Sequence, residues 1–183
     1  TLVVNGWSPS RRNNPYANSG MVVSVQEQDY ADDTPLGALH FQSLIEAKAF
    51  HVGGGNYRAP AQRMTDFVQH KPSQSLPSCS YIPGVRACNL QDVLPPIYFD
   101  ALADAFLRFG KKMKGYFTEE AIVVATESRT SSPVRIPRDK DTFQHVQIAN
   151  LYPCAEGAGY AGGIMSAAID GINVANAIKE KLA

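Results

Sequence analysis

Two apolar rhythms alternate along the chain, one of period two and one of three to four residues, and they predict different elements. Short β-branched runs at residues 1–5 and 21–26 predict two strands. Gly6, Pro9, Arg11, Arg12, Asn13, Asn14, Pro15 and Asn18 between them have the makeup of a loop. Thr34 followed by Pro35 predicts a helix start, since a threonine oxygen accepts from orphan amides and proline loses nothing at the first helical position. This helix covers residues 35–50 and stops at Gly53, Gly54 and Gly55. Ala59 and Pro60 read as a second start, leading into a helix over 61–69 that Lys71 and Pro72 end.

The clearest helical spacing follows Leu94, Pro95 and Pro96. Phe99, Leu102, Phe106, Phe109 and Met113 recur at three- and four-residue steps, which predicts one buried stripe. Such spacing is what core packing demands, so it argues for a core face rather than an aromatic cofactor box. Residues 121–126 read as a buried strand, 127–141 as a polar loop and 148–154 as another strand. From Ala161 onward a last helix places Ile164, Ala168, Ile172, Ala175 and Ile178 on an inward face and Ser166, Asp170, Asn173 and Glu180 on the other. Residues 1–30 thus lead into a helix-rich stretch at 31–118, and 119–183 close the chain with strand and helix. Strands on both sides of a helical segment suggest an insert within a strand-based domain, hence an α+β class.

Composition narrows the function classes. With 44% apolar and 19% charged residues over 183 positions, the chain is globular rather than disordered, collagen-like or coiled-coil. Lys and Arg number 17 and so do Asp and Glu, so no global charge attracts nucleic acid or an anionic membrane. The longest apolar runs are far shorter than the ~20 residues of a membrane-spanning helix. Cys79, Cys88 and Cys154 form neither a disulfide framework nor a ligand set, which points to a cytoplasmic setting. No metal spacing links His40, His51, His70 and His145. The opening at Thr1, running straight into Leu2, Val3 and Val4, leads us to expect a piece of something longer.

Chemistry concentrates in residues 151–164. Gly157, Gly159 and Gly162 satisfy G-x-G-x-x-G between a predicted strand and a predicted helix, where bare backbone amides approach a phosphate. A first Rossmann unit also needs a second strand with an acidic residue about 20 positions on. The residues after the predicted helix leave no room for one, so a tight turn with close helix packing is an equal explanation of the glycines. A better fit is the final strand of a dinucleotide-binding domain. Glu156 at its tip would accept from sugar or polyol hydroxyls, and the amides at Gly162, Gly163 and Ile164 would favour negative charge.

Residues 127–135, Glu-Ser-Arg-Thr-Ser-Ser-Pro-Val-Arg, together with 151–171, resemble the C-terminal part of the bacterial FAD-dependent dehydrogenases, often labelled FAD-utilising dehydrogenases. Val4-Asn5-Gly6, the run from Asn18 to Val23, and the run from Tyr57 to Gln62 are similar to that family in the same order. The resemblance implies a helix-rich insert, or substrate, domain flanked by strands of an incomplete Rossmann-like FAD-binding domain, whose principal nucleotide fingerprint lies in a missing N-terminal half. It implies FAD as cofactor and an unknown small molecule as substrate. Glu156 would meet the ribityl or ribose side of FAD, with Gly157 and Gly159 on the same turn. Gly162, Gly163 and Ile164 would lie beside the flavin pyrimidine edge, and Arg129 and Arg135 would face the substrate. Where the family commonly reads Cys-Gly-Glu-Gly, Ala155 replaces the first glycine, a position at which alanine disfavours positive φ.

No residue presents itself as catalytic, since neither a G-x-S-x-G elbow nor a P-loop occurs. Cys154 reads as a small buried thiol. Arg58 and Gln62 suit either a substrate face or an exposed helix surface. Two functions stand side by side: a C-terminal fragment of a FAD-dependent oxidoreductase, inactive alone, and a non-catalytic binding or interaction module that retains part of a flavoprotein fold.

Overall fold

The computed structural model describes residues 1–6, 10–30 and 34–183. Pro9 of the predicted first loop and the predicted start of the insert at Ala31 lie outside these residues. The chain is α+β and divides into two units, Thr1–Asp29 with Phe41–Ser128, and Tyr30–His40 with Arg129–Ala183.

The first unit is organised by a mixed three-stranded sheet of order β2-β1-β3, formed by β1 (Ala59–Arg63), β2 (Val85–Ala87) and β3 (Ile122–Val124). β1 runs parallel to β2, with Ala59 opposite Val85, and antiparallel to β3, with Ala61 opposite Val124. The sheet therefore draws β1 and β2 from the stretch expected to be helix-rich. The predicted helix over 61–69 is instead a strand followed by the short α2 (Met64–Val68). Pro60 misleads because it sits in a central strand, where proline is rare. Here its carbonyl accepts from Ala125 N at 3.1 Å, and the main-chain donors of β1 that matter are those of its neighbours, as with Ala59 N to Gly84 O at 3.0 Å.

Helix α1 (Gly37–Val52) begins two residues later than expected. Helix α3 (Pro96–Lys112) begins at the predicted prolines, with Pro at its first position and Lys111 and Lys112 in its last turn, each favoured there by the helix dipole. Its stripe is buried only in part: Phe99 and Phe106 are inside, joined by Tyr98 and Ala103, while Phe109 and Met113 stay exposed. Phe99 stacks on Phe67 of α2 with ring centroids 4.0 Å apart, and Phe106 meets Phe67 edge-on at 5.5 Å. Leu2, Val4, Ile45, Leu90 and Val93 complete this core.

Residues 1–5 alternate inward and outward as expected but form no strand. Leu2 N donates to Glu46 O and Val4 N to Thr126 O, so this segment is tied to α1 and to the residues just after β3 rather than to a ladder partner. Residues 21–26 and 148–154 are likewise not strands, because their apolar residues find no pairing edge. Gln62, expected on either a substrate face or an exposed helix surface, is wholly buried in β1; its amide donates to Lys71 O at 2.7 Å and its oxygen accepts from Leu90 N at 2.9 Å.

The second unit ends in α4 (Ile164–Leu182), as the sequence predicts. The predicted inward face is wrong. Its buried residues are Asp170 and Val174, while Ile164, Met165, Ile169 and Ile172 are 54–79% exposed. Asp170 fixes this rotation through an ion pair described below, which apolar periodicity does not register. Among the described residues no helix is long and apolar enough to cross a membrane.

Candidate functional site

The glycine-rich segment of the second unit is a tight turn. Gly159 N donates to Glu156 O at 2.9 Å and Tyr160 N to Ala155 O at 3.0 Å. Two residues take left-handed backbone, Ala155 at φ +59° and Gly159 at φ +82°. Gly159 has a steric reason to lack a side chain: a Cβ there would stand 2.7 Å from Val134 O and 3.0 Å from Arg135 Cα. Its freedom therefore seats residues 134 and 135 against the turn. Ile136 N donates to Ala158 O at 3.1 Å, the Tyr160 hydroxyl to Ile136 O at 3.0 Å, and Ser132 Oγ to Gly157 O at 3.3 Å.

Beneath the turn lies an ion pair whose partners the apolar pattern does not link: Arg138, which the sequence offers beside Arg129 and Arg135 as a holder of a substrate anion, is taken up by Asp170. Arg138 donates from Nη2 to Asp170 Oδ1 at 2.6 Å and from Nη1 to Oδ2 at 2.9 Å, with a further bond from Nη1 to Pro153 O at 2.7 Å. The two side chains are only 7% and 11% exposed. Asp170 Oδ2 also accepts from Ala155 N at 2.8 Å, so one carboxylate joins the first turns of α4 to the left-handed residue of the glycine turn. The bidentate bond from Arg138, helped by the Ala155 amide, holds the Asp170 carboxyl down at about 2. Burial pushes the nearby Cys154 thiol up, and the charge of Asp170 adds to that, which leaves it a poor nucleophile at neutral pH. Arg138 also lies over the Tyr160 ring, 3.6 Å from its centroid, and Arg135 over the same ring at 4.4 Å. The available signal was Asp170 itself, the lone charged residue between Ile164 and Ile178.

The sequence-predicted positions fall around this frame. Glu156, Gly157 and Gly159 are on the turn. Glu156 is half-buried, and its carboxylate makes no hydrogen bond or ion pair among the described residues. Gly162 and Gly163 lead into α4, where Gly163 is the N-cap and no side chain caps the first amides. Nothing lies within 4 Å of a Cβ built on Gly162, and Ile164 is 79% exposed. An open helix N-terminus of this kind suits a partial negative charge. Arg135 is exposed and packed on the turn; Arg129 is exposed at the beginning of the Arg129–Ala183 segment.

The first unit has a polar cleft of about 500 Å³ that includes Arg63, Asp66, Lys71 and Glu119. Its cations are engaged: Arg63 donates to Glu119 O and Ser75 O, and Lys71 pairs with Asp66 at 3.7 Å. No group of three or more His, Cys, Asp or Glu side chains among the described residues is arranged to hold a metal ion.

Residues 1–130 match the family described as "FAD-dependent protein, C-terminal domain-like". A protein of Clostridium beijerinckii described as "Uncharacterized protein" is 43% identical over 182 residues, which is 98% of this chain and 34% of that protein. The chain thus spans about a third of the length of the curated relative it matches. The family match ends where the second unit's longer segment begins, whereas similarity to the Clostridium protein extends across the glycine turn and α4.

Proposed function

Since this chain belongs to the C-terminal domain-like family of FAD-dependent proteins, we propose that it completes the flavin site of a longer FAD-dependent oxidoreductase, a cytoplasmic dehydrogenase with a Rossmann-like FAD domain. The observation that carries this reading is the N-terminus of α4 behind Gly162 and Gly163, which no side chain caps, with nothing within 4 Å of a Cβ built on Gly162 and only Ser166 Oγ, at 4.0 Å, near one built on Gly163. FAD, when bound, supplies hydride or electron transfer, and the protein supplies position and electrostatics. The amides at Gly162, Gly163 and Ile164 face the pyrimidine edge of the ring system. Glu156, its carboxylate unspent, accepts from ribityl or ribose hydroxyls, and Gly157 and Gly159 keep the turn free of side chains. Arg129 and Arg135 stand on the substrate side. The N-terminal half of the longer protein carries the principal phosphate-binding fingerprint.

A Gly163→Asp substitution separates this role from stability. At an N-cap, aspartate satisfies free amides and raises helix stability by about 0.5–2 kcal/mol relative to a poor cap, and by less relative to glycine. The flavin edge would then meet a carboxylate where it needs donors. In the longer protein we expect a preparation that is yellow as wild type and colourless as Gly163→Asp, with the melting temperature unchanged or raised. A yellow Gly163→Asp protein would refute the placement. The isolated chain should take up FAD weakly or not at all by calorimetry, and micromolar binding would contradict the assignment of the main site to the N-terminal half. The exposed apolar residues of α4 favour a second reading, a non-catalytic interaction module.

A further inference from the structure

Several arginines give their donors to main-chain carbonyls, and Arg108 pairs with Asp104 at 2.7 Å. Arg58 binds Val85 O, Arg63 binds Glu119 O, Arg86 binds Val52 O and Arg138 binds Pro153 O as well as Asp170. Arg135, like Arg11 and Arg12, is exposed, and its guanidinium makes no hydrogen bond or ion pair among the described residues. It is nonetheless held. Its Cα would stand only 3.0 Å from a Cβ at Gly159, and its guanidinium carbon lies over the Tyr160 ring, 4.4 Å from the centroid.

Tyr160 is itself a fixed platform. Its hydroxyl donates to Ile136 O, its amide to Ala155 O, and Arg138 covers its ring at 3.6 Å. Contact with a ring takes up none of the five N–H donors of a guanidinium in a conventional hydrogen bond. Part of the ordering cost that a free arginine meets on binding is therefore met in advance.

Resting on the flavin-site reading for the identity of the ligand, we propose that Arg135 is the receptor for a carboxylate on the substrate, which makes that substrate a small organic acid. The charge balance selects the class. Arg138 is neutralised by Asp170, and Glu156 adds a negative charge to the turn on which Arg135 packs. A guanidinium with one unspent charge and a planar fork suits a planar monoanion that takes two parallel hydrogen bonds.

The test is carried out on the full chain without flavin. The ¹⁵N resonance of the Arg135 Nε–H group is followed while sodium acetate is added, with sodium chloride at matched ionic strength as the reference and inorganic phosphate as the competing class. Acetate should move the Arg135 signal saturably and leave the Arg138 signal in place. In Arg135→Lys, which keeps the charge but loses the fork, acetate affinity read at the Tyr160 amide should fall by about tenfold. An Arg135 signal that acetate moves no more than chloride does, or that phosphate saturates more readily, would overturn the assignment, and so would undiminished acetate binding by Arg135→Lys. Acetate binding together with a colourless longer protein would sink the flavin reading alone.

Discussion

Asp170 concentrates more of the second unit's stability than its single charge suggests. It takes two hydrogen bonds from Arg138 and one from Ala155, at a position where little water reaches. Asp170→Asn should cost about 3–5 kcal/mol, because it leaves Arg138 buried without a counter-charge. A double variant that also changes Arg138 to Met should cost less than the sum of the two single changes, measured by urea unfolding. The carboxyl titrates at about 2 in the folded chain against an ordinary 3.8. Its contribution is therefore complete above about pH 4 and disappears as pH falls toward 2, since the unfolded chain takes up the proton first. Asp170→Asn should flatten that part of the stability profile. The neighbouring Ala155 and Gly159 give opposite expectations. Ala155 bears a left-handed φ of +59° without being glycine, so Ala155→Gly should stabilise the chain by about 1 kcal/mol. Gly159→Ala meets both a left-handed φ and a carbonyl at 2.7 Å, and a loss of about 1–3 kcal/mol should appear as a lower melting temperature.

At the level of elements, the long helices were legible and so was β3, expected over 121–126 and found at Ile122–Val124, whereas β1 and β2 were not. α3 announced itself through Pro95, Pro96 and the phenylalanine spacing, and the structure puts Phe99 at the centre of the first unit, wholly buried against Phe67. Phe99→Ala should cost about 3–5 kcal/mol in chemical unfolding, while the exposed Phe109→Ala should cost far less. β1 escaped notice because Ala59, Pro60, Ala61 and Gln62 carry no β-branched side chain; their strand exists because flanking segments supply ladder partners and an amide-lined place for Gln62. Such pairing is non-local, and intrinsic propensity does not encode it. The glycine turn was found from its composition. Its architecture was not, because the Arg138 to Asp170 link spans 32 residues of sequence and breaks the apolar pattern of α4 instead of following it.

At the level of the whole molecule, the family was readable from short blocks of sequence, and the match over residues 1–130 agrees at the level of a FAD-dependent protein's C-terminal domain. The two-unit division was less accessible, since each unit takes two separated stretches of chain and residues 30–40 join the later one. α4 presents Ile164, Met165, Ile169 and Ile172 to water along consecutive turns, with no charged residue until Lys179 beyond Asp170 on the opposite, buried side. A polypeptide with such a bare ridge should behave as a sticky object when prepared alone: it should brighten a solvatochromic dye, cling to phenyl resins and lose both habits when Ile169 and Ile172 are changed to lysine.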